Sequence, residues 1–167
     1  MIRDDIPRYN RALARVLEGY TDLVYAKIGH KEGIESRSLY HTQQCVEKSL
    51  KACMSKINAG EIMSHTVLKL FQERVMEKIP IELQEKFGDL EDIIWVEERW
   101  VDTRYNEFNG ETILLPTLRF SPEDAETGIK VAEQVLMASI DCVNFLFDVN
   151  LPKDYEKLKE VVKQEIR

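Results

Sequence analysis

Apolar residues recur at three- and four-residue intervals through most of this chain. That spacing lines one side of an α-helix, and the strict alternation of a half-buried strand is scarce. Over residues 7–28, Leu13, Val16, Leu17, Tyr20, Leu23 and Val24 keep the helical interval, and Gly29 supplies a stop signal. Residues 36–57 predict a second helix with Leu39, Val46, Leu50, Cys53, Met54 and Ile57 facing inward, closed by Asn58-Ala59-Gly60. Ser64 is placed to cap a third, in which Val67, Leu68, Leu70, Phe71 and Val75 fill one side before Pro80 breaks it. A short helical piece over 81–87 is separated by Gly88 from a fourth helix over 89–101, striped by Leu90, Ile93, Ile94 and Val101. Residues 102–120 read as the longest irregular stretch, with Asn109-Gly110 as a turn.

Ser121-Pro122-Glu123-Asp124 then gives three agreeing helix-start signals: a hydroxyl at the cap, proline at the first helical position, and acids in the first turn. The helix that follows, to about residue 149, carries Ala125, Ile129, Ala132, Val135, Leu136, Ile140, Val143 and Phe147 at helical spacing. A strongly charged segment over 152–166 predicts a last helix, loosely docked. Two helices show a second apolar edge: Met137, Phe145 and Leu146 on one, Tyr40 beside Cys45 on the other. A helix apolar on more than one face is central in its bundle or meets another subunit, so a homodimer is expected.

The length of 167 residues suits one domain over 1–167, with a core over about 10–148. A 44% hydrophobic fraction beside a 32% charged fraction, with few glycines and prolines, is the composition of a globular helical chain and not of a disordered one. No run reaches the about 18 apolar residues of a membrane span, and residues 1–20 lack an apolar signal core, so no membrane association and a cytoplasmic location are expected. The net charge of −7 is concentrated. Residues 82–111 hold ten acids and three bases, which accounts for all of it. A broad basic footprint for nucleic acid is absent, and a local basic groove is left to the lysines of residues 48–78. Cys45, Cys53 and Cys142 make no disulfide framework, and buried thiols are expected.

The candidate chemistry is polar and local. Gln44, Glu47, Lys48 and Lys51 share one sector of the second helix, because residues three and four apart are neighbours on a helix surface. Such a sector can hold a phosphate or a nucleotide edge; as plain surface it would hold a Glu47–Lys51 pair. Arg104, followed by Tyr105 and Asn106, closes the fourth helix. Its guanidinium suits a phosphate, and it equally suits the negative end of a helix dipole. His65 follows a helix cap, where proton transfer facing Arg104 is one reading and plain packing the other. His41, four residues after Arg37, is assigned to the surface or a dimer seam. The adjacent acids Glu97-Glu98 and Glu91-Asp92 point apart on a helix and are expected to be a solvated acidic face. No histidine or cysteine spacing matches a metal site, there is no phosphate-binding glycine loop, and no cofactor is expected.

Three segments together resemble a known family. Gln43-Gln44-Cys45-Val46-Glu47-Lys48-Ser49-Leu50-Lys51-Ala52 is similar to the second-helix motif of HEPN domains (higher eukaryotes and prokaryotes nucleotide-binding). Ser64-His65-Thr66-Val67-Leu68-Lys69-Leu70 resembles the Ser-His segment that follows it there, and Asp102-Thr103-Arg104-Tyr105-Asn106 resembles the family's Arg-Tyr signature. The order also matches. The resemblance implies an all-α, antiparallel (up-down) bundle of four to five helices with a C-terminal helical extension, often dimeric. It also implies a minimal nucleotidyltransferase as a frequent partner, and several members are RNA-cleaving toxins.

In the nuclease members an arginine is followed after four to six residues by a histidine that moves protons. Here those positions hold Asn109, Gly110 and Glu111. The expected function is therefore a non-catalytic HEPN-type protein of a toxin–antitoxin-like pair. It would dimerise and bind a nucleotide, RNA or a partner nucleotidyltransferase through Gln44, Glu47, Lys48, Lys51, Arg104, Tyr105 and Asn106. The alternatives are a metal-independent ribonuclease toxin, with Arg104, His65 and Tyr105 as candidate catalytic residues, and a purely structural assembly module.

Overall fold

A computed structural model describes residues 5–57 and 62–166. In chain order it builds α1 (Ile6–Lys31), α2 (Glu35–Met54), α3 (Leu68–Arg74), a 3-10 turn (Met76–Lys78), α4 (Ile81–Glu85), α5 (Leu90–Glu97) and α6 (Arg99–Asp102). A hairpin of β1 (Glu107–Asn109) and β2 (Thr112–Leu114) follows, then α7 (Pro116–Arg119), α8 (Pro122–Phe147) and α9 (Tyr155–Glu165).

The class is all-α, and three long helices carry the bundle. The short connection after α1 turns α2 back against it, with Gly33 in the left-handed region at φ +68°. α8 runs antiparallel to α1: Tyr9 meets Phe147 at one end, and His30 meets Glu126 at the other. The same helix runs parallel to α2, since Cys45 Sγ faces the carbonyl of Ala132 and Cys53 Sγ that of Ser139. The short helices α3 to α6 take the place of the remaining long helix of an up-down bundle. Leu13 and Val16 of α1, Leu39, Val46 and Leu50 of α2, and Leu136, Ile140 and Val143 of α8 are fully enclosed. All three cysteines are buried, and burial pushes the Cys45 thiol up to about 12. No helix of the described residues is long and apolar enough to cross a membrane.

Several local expectations are corrected. Gly29 does not end α1, which runs on to Lys31. A Cβ at Gly29 would sit 3.1 Å from the Ser38 backbone nitrogen, so the missing side chain serves a close crossing with α2. The stop signal Asn58-Ala59-Gly60 lies outside the described residues, and α2 ends earlier, at Met54. Ser64 caps nothing: its hydroxyl bonds Thr66, and α3 begins later, after Val67. The N–H groups of Val67 and Leu68 donate instead to one oxygen of Glu97, at 2.6 and 2.8 Å.

Glu97 is therefore not part of a solvated face. It is 6% exposed, and burial raises its pKa against the lowering effect of those two N–H groups. The fourth helix is broken into α5 and α6 at Glu98. The stretch expected to be irregular contains the hairpin, turned at Gly110 (φ +63°), and α7. Ser121 and Asp124 make the reciprocal capping box that starts α8. α9 is docked firmly rather than loosely, with Leu158 fully buried and Val162 nearly so.

Candidate functional site

An α-helix turns by roughly 100° per residue, so Tyr40, Gln44, Glu47 and Lys51 project within about 60° of one another from α2. Lys48 and His41 are rotated from that line by roughly 80–100°, toward α1. Lys48 Nζ donates to Asp22 Oδ2 of α1 at 2.5 Å, and His41 Nδ1 lies 2.8 Å from the other oxygen of Asp22. Lys48 is tied to α1, and Gln44, Glu47 and Lys51 form a network of their own beside it. His41 is half-buried and packs between Tyr25 and Tyr40.

Glu47 is the hub of that network. Its Oε1 accepts from Lys51 Nζ at 2.7 Å, and its Oε2 accepts from Gln43 Nε2 at 3.1 Å. Gln44 Nε2 stands 3.5 Å from the same oxygen and donates to Gln43 Oε1 at 2.7 Å. His65 Nδ1 lies 3.1 Å from Glu47 Oε2. Burial opposes ionisation of Glu47, but the bonds from Lys51, Gln43 and His65 outweigh it, and the pKa is lowered overall. An ionised carboxylate only accepts, so His65 presents Nδ1–H to it and leaves Nε2 for another partner. The His65 ring stacks on Trp100 of α6, with centroids 4.7 Å apart.

Arg104 stands on the same flank. Its guanidinium carbon lies 4.8 Å from the ring centroid of Tyr40 and 6.0 Å from that of Trp100. Among the described residues no hydrogen bond or ion pair engages this side chain, and its Nε is buried without a partner. The guanidinium does not finish the dipole of α6, which is only one turn long and capped by Thr103. The nearby acid Asp102 is engaged by Arg99 at 3.6 Å and Arg119 at 3.3 Å. Arg104 is therefore a cation held by aromatic faces alone.

The remaining candidates lie in separate hollows. Glu47, Lys48 and Lys51 line a cavity of about 280 Å³ with Ala14, Arg15, Glu18 and Ile62. Tyr105 and Asn106 line another of about 380 Å³, with Val101, Asp102, Glu107 and Arg119. Arg104 packs on Tyr40, which sits two turns, about 12 Å, from Lys48 along the α2 axis.

Two residues of this arrangement escape spacing rules. Tyr40 reads as a second apolar edge, yet it precedes Gln44 by four residues and Glu47 by seven, which places it in the polar line. Trp100 carries no local signal, because its partners His65 and Arg104 come from different segments. No group of three or more histidines, cysteines, aspartates or glutamates among the described residues is arranged to hold a metal.

Comparison with known proteins agrees with this architecture. The family model described as HEPN domain matches residues 14–143. The protein "Putative toxin MJ1304" of Methanocaldococcus jannaschii is 38% identical over 117 residues, covering 69% of this chain and 76% of that one. The crystal structure of TT1696 from Thermus thermophilus superposes with a TM-score of 0.64 at 18% identity, over 80% of this chain and 98% of that one, a likeness of fold. With the helical order, the bundle and the extent of the match in agreement, this chain belongs to the HEPN domain family.

Proposed function

We propose that this chain is a non-catalytic HEPN-type protein that holds a phosphate-bearing ligand, a nucleotide or an RNA end, on Arg104. One observation carries the reading: a permanently charged guanidinium rests on Tyr40 beside Trp100, and among the described residues no carboxylate pairs with it. A buried N–H without a partner costs about 1–3 kcal/mol, and an anion that accepts from it removes that cost. The relative named as a putative toxin supports a place in a toxin–antitoxin-like pair, and the family resemblance implies a minimal nucleotidyltransferase as its partner. The acidic segment 82–111 suits a basic face on that partner, because complementary charge speeds and orients docking. The reading includes a homodimer in the cytoplasm. The test is equilibrium titration of ATP and of a 5′-phosphorylated RNA into the wild type and into Arg104→Ala. Loss of binding in the variant supports the site, and unchanged affinity for both ligands removes it.

A second reading has its own support. His65 is oriented by Glu47 at 3.1 Å and stacks on the ring that Arg104 approaches. A carboxylate-oriented imidazole beside a phosphate-holding cation is the arrangement of a metal-independent ribonuclease. Tyr105, 59% exposed and in the other hollow, fits that role less well than His65. Total RNA incubated with the protein and a chelator decides it. Cleavage that disappears in both Arg104→Ala and His65→Ala establishes the enzyme, and cleavage no greater than in those variants excludes it.

A further inference from the structure

Arg104 lies within a strip of flat side chains that crosses from α1 over α2 to α6. Tyr25 of α1 stacks on His41, with centroids 5.3 Å apart and planes at 28°. His41 meets Tyr40 edge-on at 5.0 Å. Tyr40 carries the Arg104 guanidinium at 4.8 Å, and beyond it Trp100 stacks on His65. The α1 end of the strip is fixed from beneath. His41 is held at 2.8 Å by Asp22, which is 8% exposed and also accepts from Lys48. Tyr25 itself is 52% exposed, with its ring seated on the imidazole. An isolated exposed tyrosine needs no explanation. A tyrosine stacked on an imidazole that a buried carboxylate holds in place is a prepared flat surface.

Aromatic faces interleaved with cations are how proteins hold single-stranded nucleic acid. Bases stack on the rings and the backbone follows the charges. A duplex keeps its bases stacked on one another and offers them no such contact. The ring of Tyr25 is two ring-to-ring steps from the one under Arg104, so a base there and a phosphate on Arg104 belong most simply to different nucleotides. We infer that Tyr25 and His41 form a base-stacking subsite for a single-stranded polynucleotide whose phosphate lies on Arg104. This rests on the anion reading of Arg104 and adds to it the class of ligand: a strand of several nucleotides.

The test is fluorescence anisotropy with labelled eight-nucleotide oligouridylate, its DNA counterpart and an RNA duplex of equal length, with ATP titrated in parallel. Chelator is present throughout. Base–aromatic stacking contributes about 1–3 kcal/mol per base, so Tyr25→Ala is expected to weaken single-strand binding by about 5- to 150-fold. The same variant is expected to leave ATP binding and the melting temperature unchanged, while Tyr25→Phe binds like the wild type. Stronger binding of the RNA than the DNA strand assigns the ligand to RNA, and the reverse assigns it to DNA. If Arg104→Ala weakens ATP and oligomers while Tyr25→Ala weakens neither, the anion site stands and the base subsite is wrong. Duplex bound as tightly as single strand also overturns the subsite. If Arg104→Ala changes nothing, the anion reading falls and takes the subsite with it.

Discussion

The guanidinium of Arg104 lies 4.8 Å from the ring centroid of Tyr40, and among the described residues no carboxylate pairs with it. A cation on an aromatic face is attracted by about 0.5–2 kcal/mol, depending on its desolvation. The face therefore aims the charge while leaving its hydrogen-bond donors available. Tyr40→Leu keeps an apolar side chain under Arg104 but removes the ring quadrupole. Nucleotide affinity, read by calorimetry, is expected to fall about 2- to 20-fold, with little change in melting temperature. Affinity equal to the wild type would show that Tyr40 only packs.

Lysine does not substitute for this arginine. Arg104→Lys retains the charge but loses the planar fork that bonds a phosphate through two parallel N–H groups. Binding of ATP to Arg104→Lys is expected to be closer to that of Arg104→Ala than to the wild type. Full retention in the lysine variant would mean that net charge alone is read there.

Glu97 and Glu47 are expected to act on stability with opposite pH dependence. Burial raises the pKa of Glu97 above the ordinary 4.5, so its favourable contribution is complete below that value and lost as pH rises through the higher folded value. The pKa of Glu47 is lowered: burial opposes this, and the bonds from Lys51, Gln43 and His65 prevail. Its contribution is present above the ordinary 4.5 and lost as pH falls through the lower folded value. Urea unfolding across this range should give Glu47→Gln a weaker acid-side loss than the wild type, and Glu97→Gln a weaker loss as pH rises above 4.5.

Glu97 also closes α3 from a distance. Removing its carboxyl in Glu97→Ala leaves two buried N–H groups without an acceptor, at a cost of about 1–3 kcal/mol each. Glu97→Gln keeps an oxygen for them. The alanine variant is expected to melt well below the glutamine variant, and equal melting temperatures would remove this role.

Two glycines in neighbouring positions should respond for different reasons. Gly29→Ala places a methyl 3.1 Å from the Ser38 backbone, so α1 and α2 must move apart, and overpacking costs about 1–3 kcal/mol. At Gly33 a methyl meets nothing within 4 Å, but the φ of +68° disfavours any side chain by roughly 1–2 kcal/mol. Denaturant midpoints read both losses, and a Gly29→Ala midpoint equal to the wild type would show that α1 and α2 yield to the methyl without cost.

The long helices were legible because their signals are local. Apolar spacing marked α1, α2 and α8, and Ser121 with Asp124 announced the start of α8 within four residues. The short helices were not, because their ends are made by distant groups: α3 is capped by Glu97, thirty positions from Val67. Gly29 carries the composition of a helix stop, yet it answers to the approach of Ser38, which no local rule contains. At the site, three- and four-residue spacing found Gln44, Glu47 and Lys51. It did not contain the pairing of Lys48 with Asp22, which lies on another helix. The rings of Tyr40 and Trp100 became part of the site only once α2, α6 and the segment around His65 came together.

The most direct measurement is a crystal structure of the full chain soaked with ATP. The expected result is a phosphate group hydrogen-bonded to the Arg104 guanidinium above Tyr40. Phosphate held instead in the hollow of Lys48 and Lys51, with Arg104 untouched, would contradict the assignment.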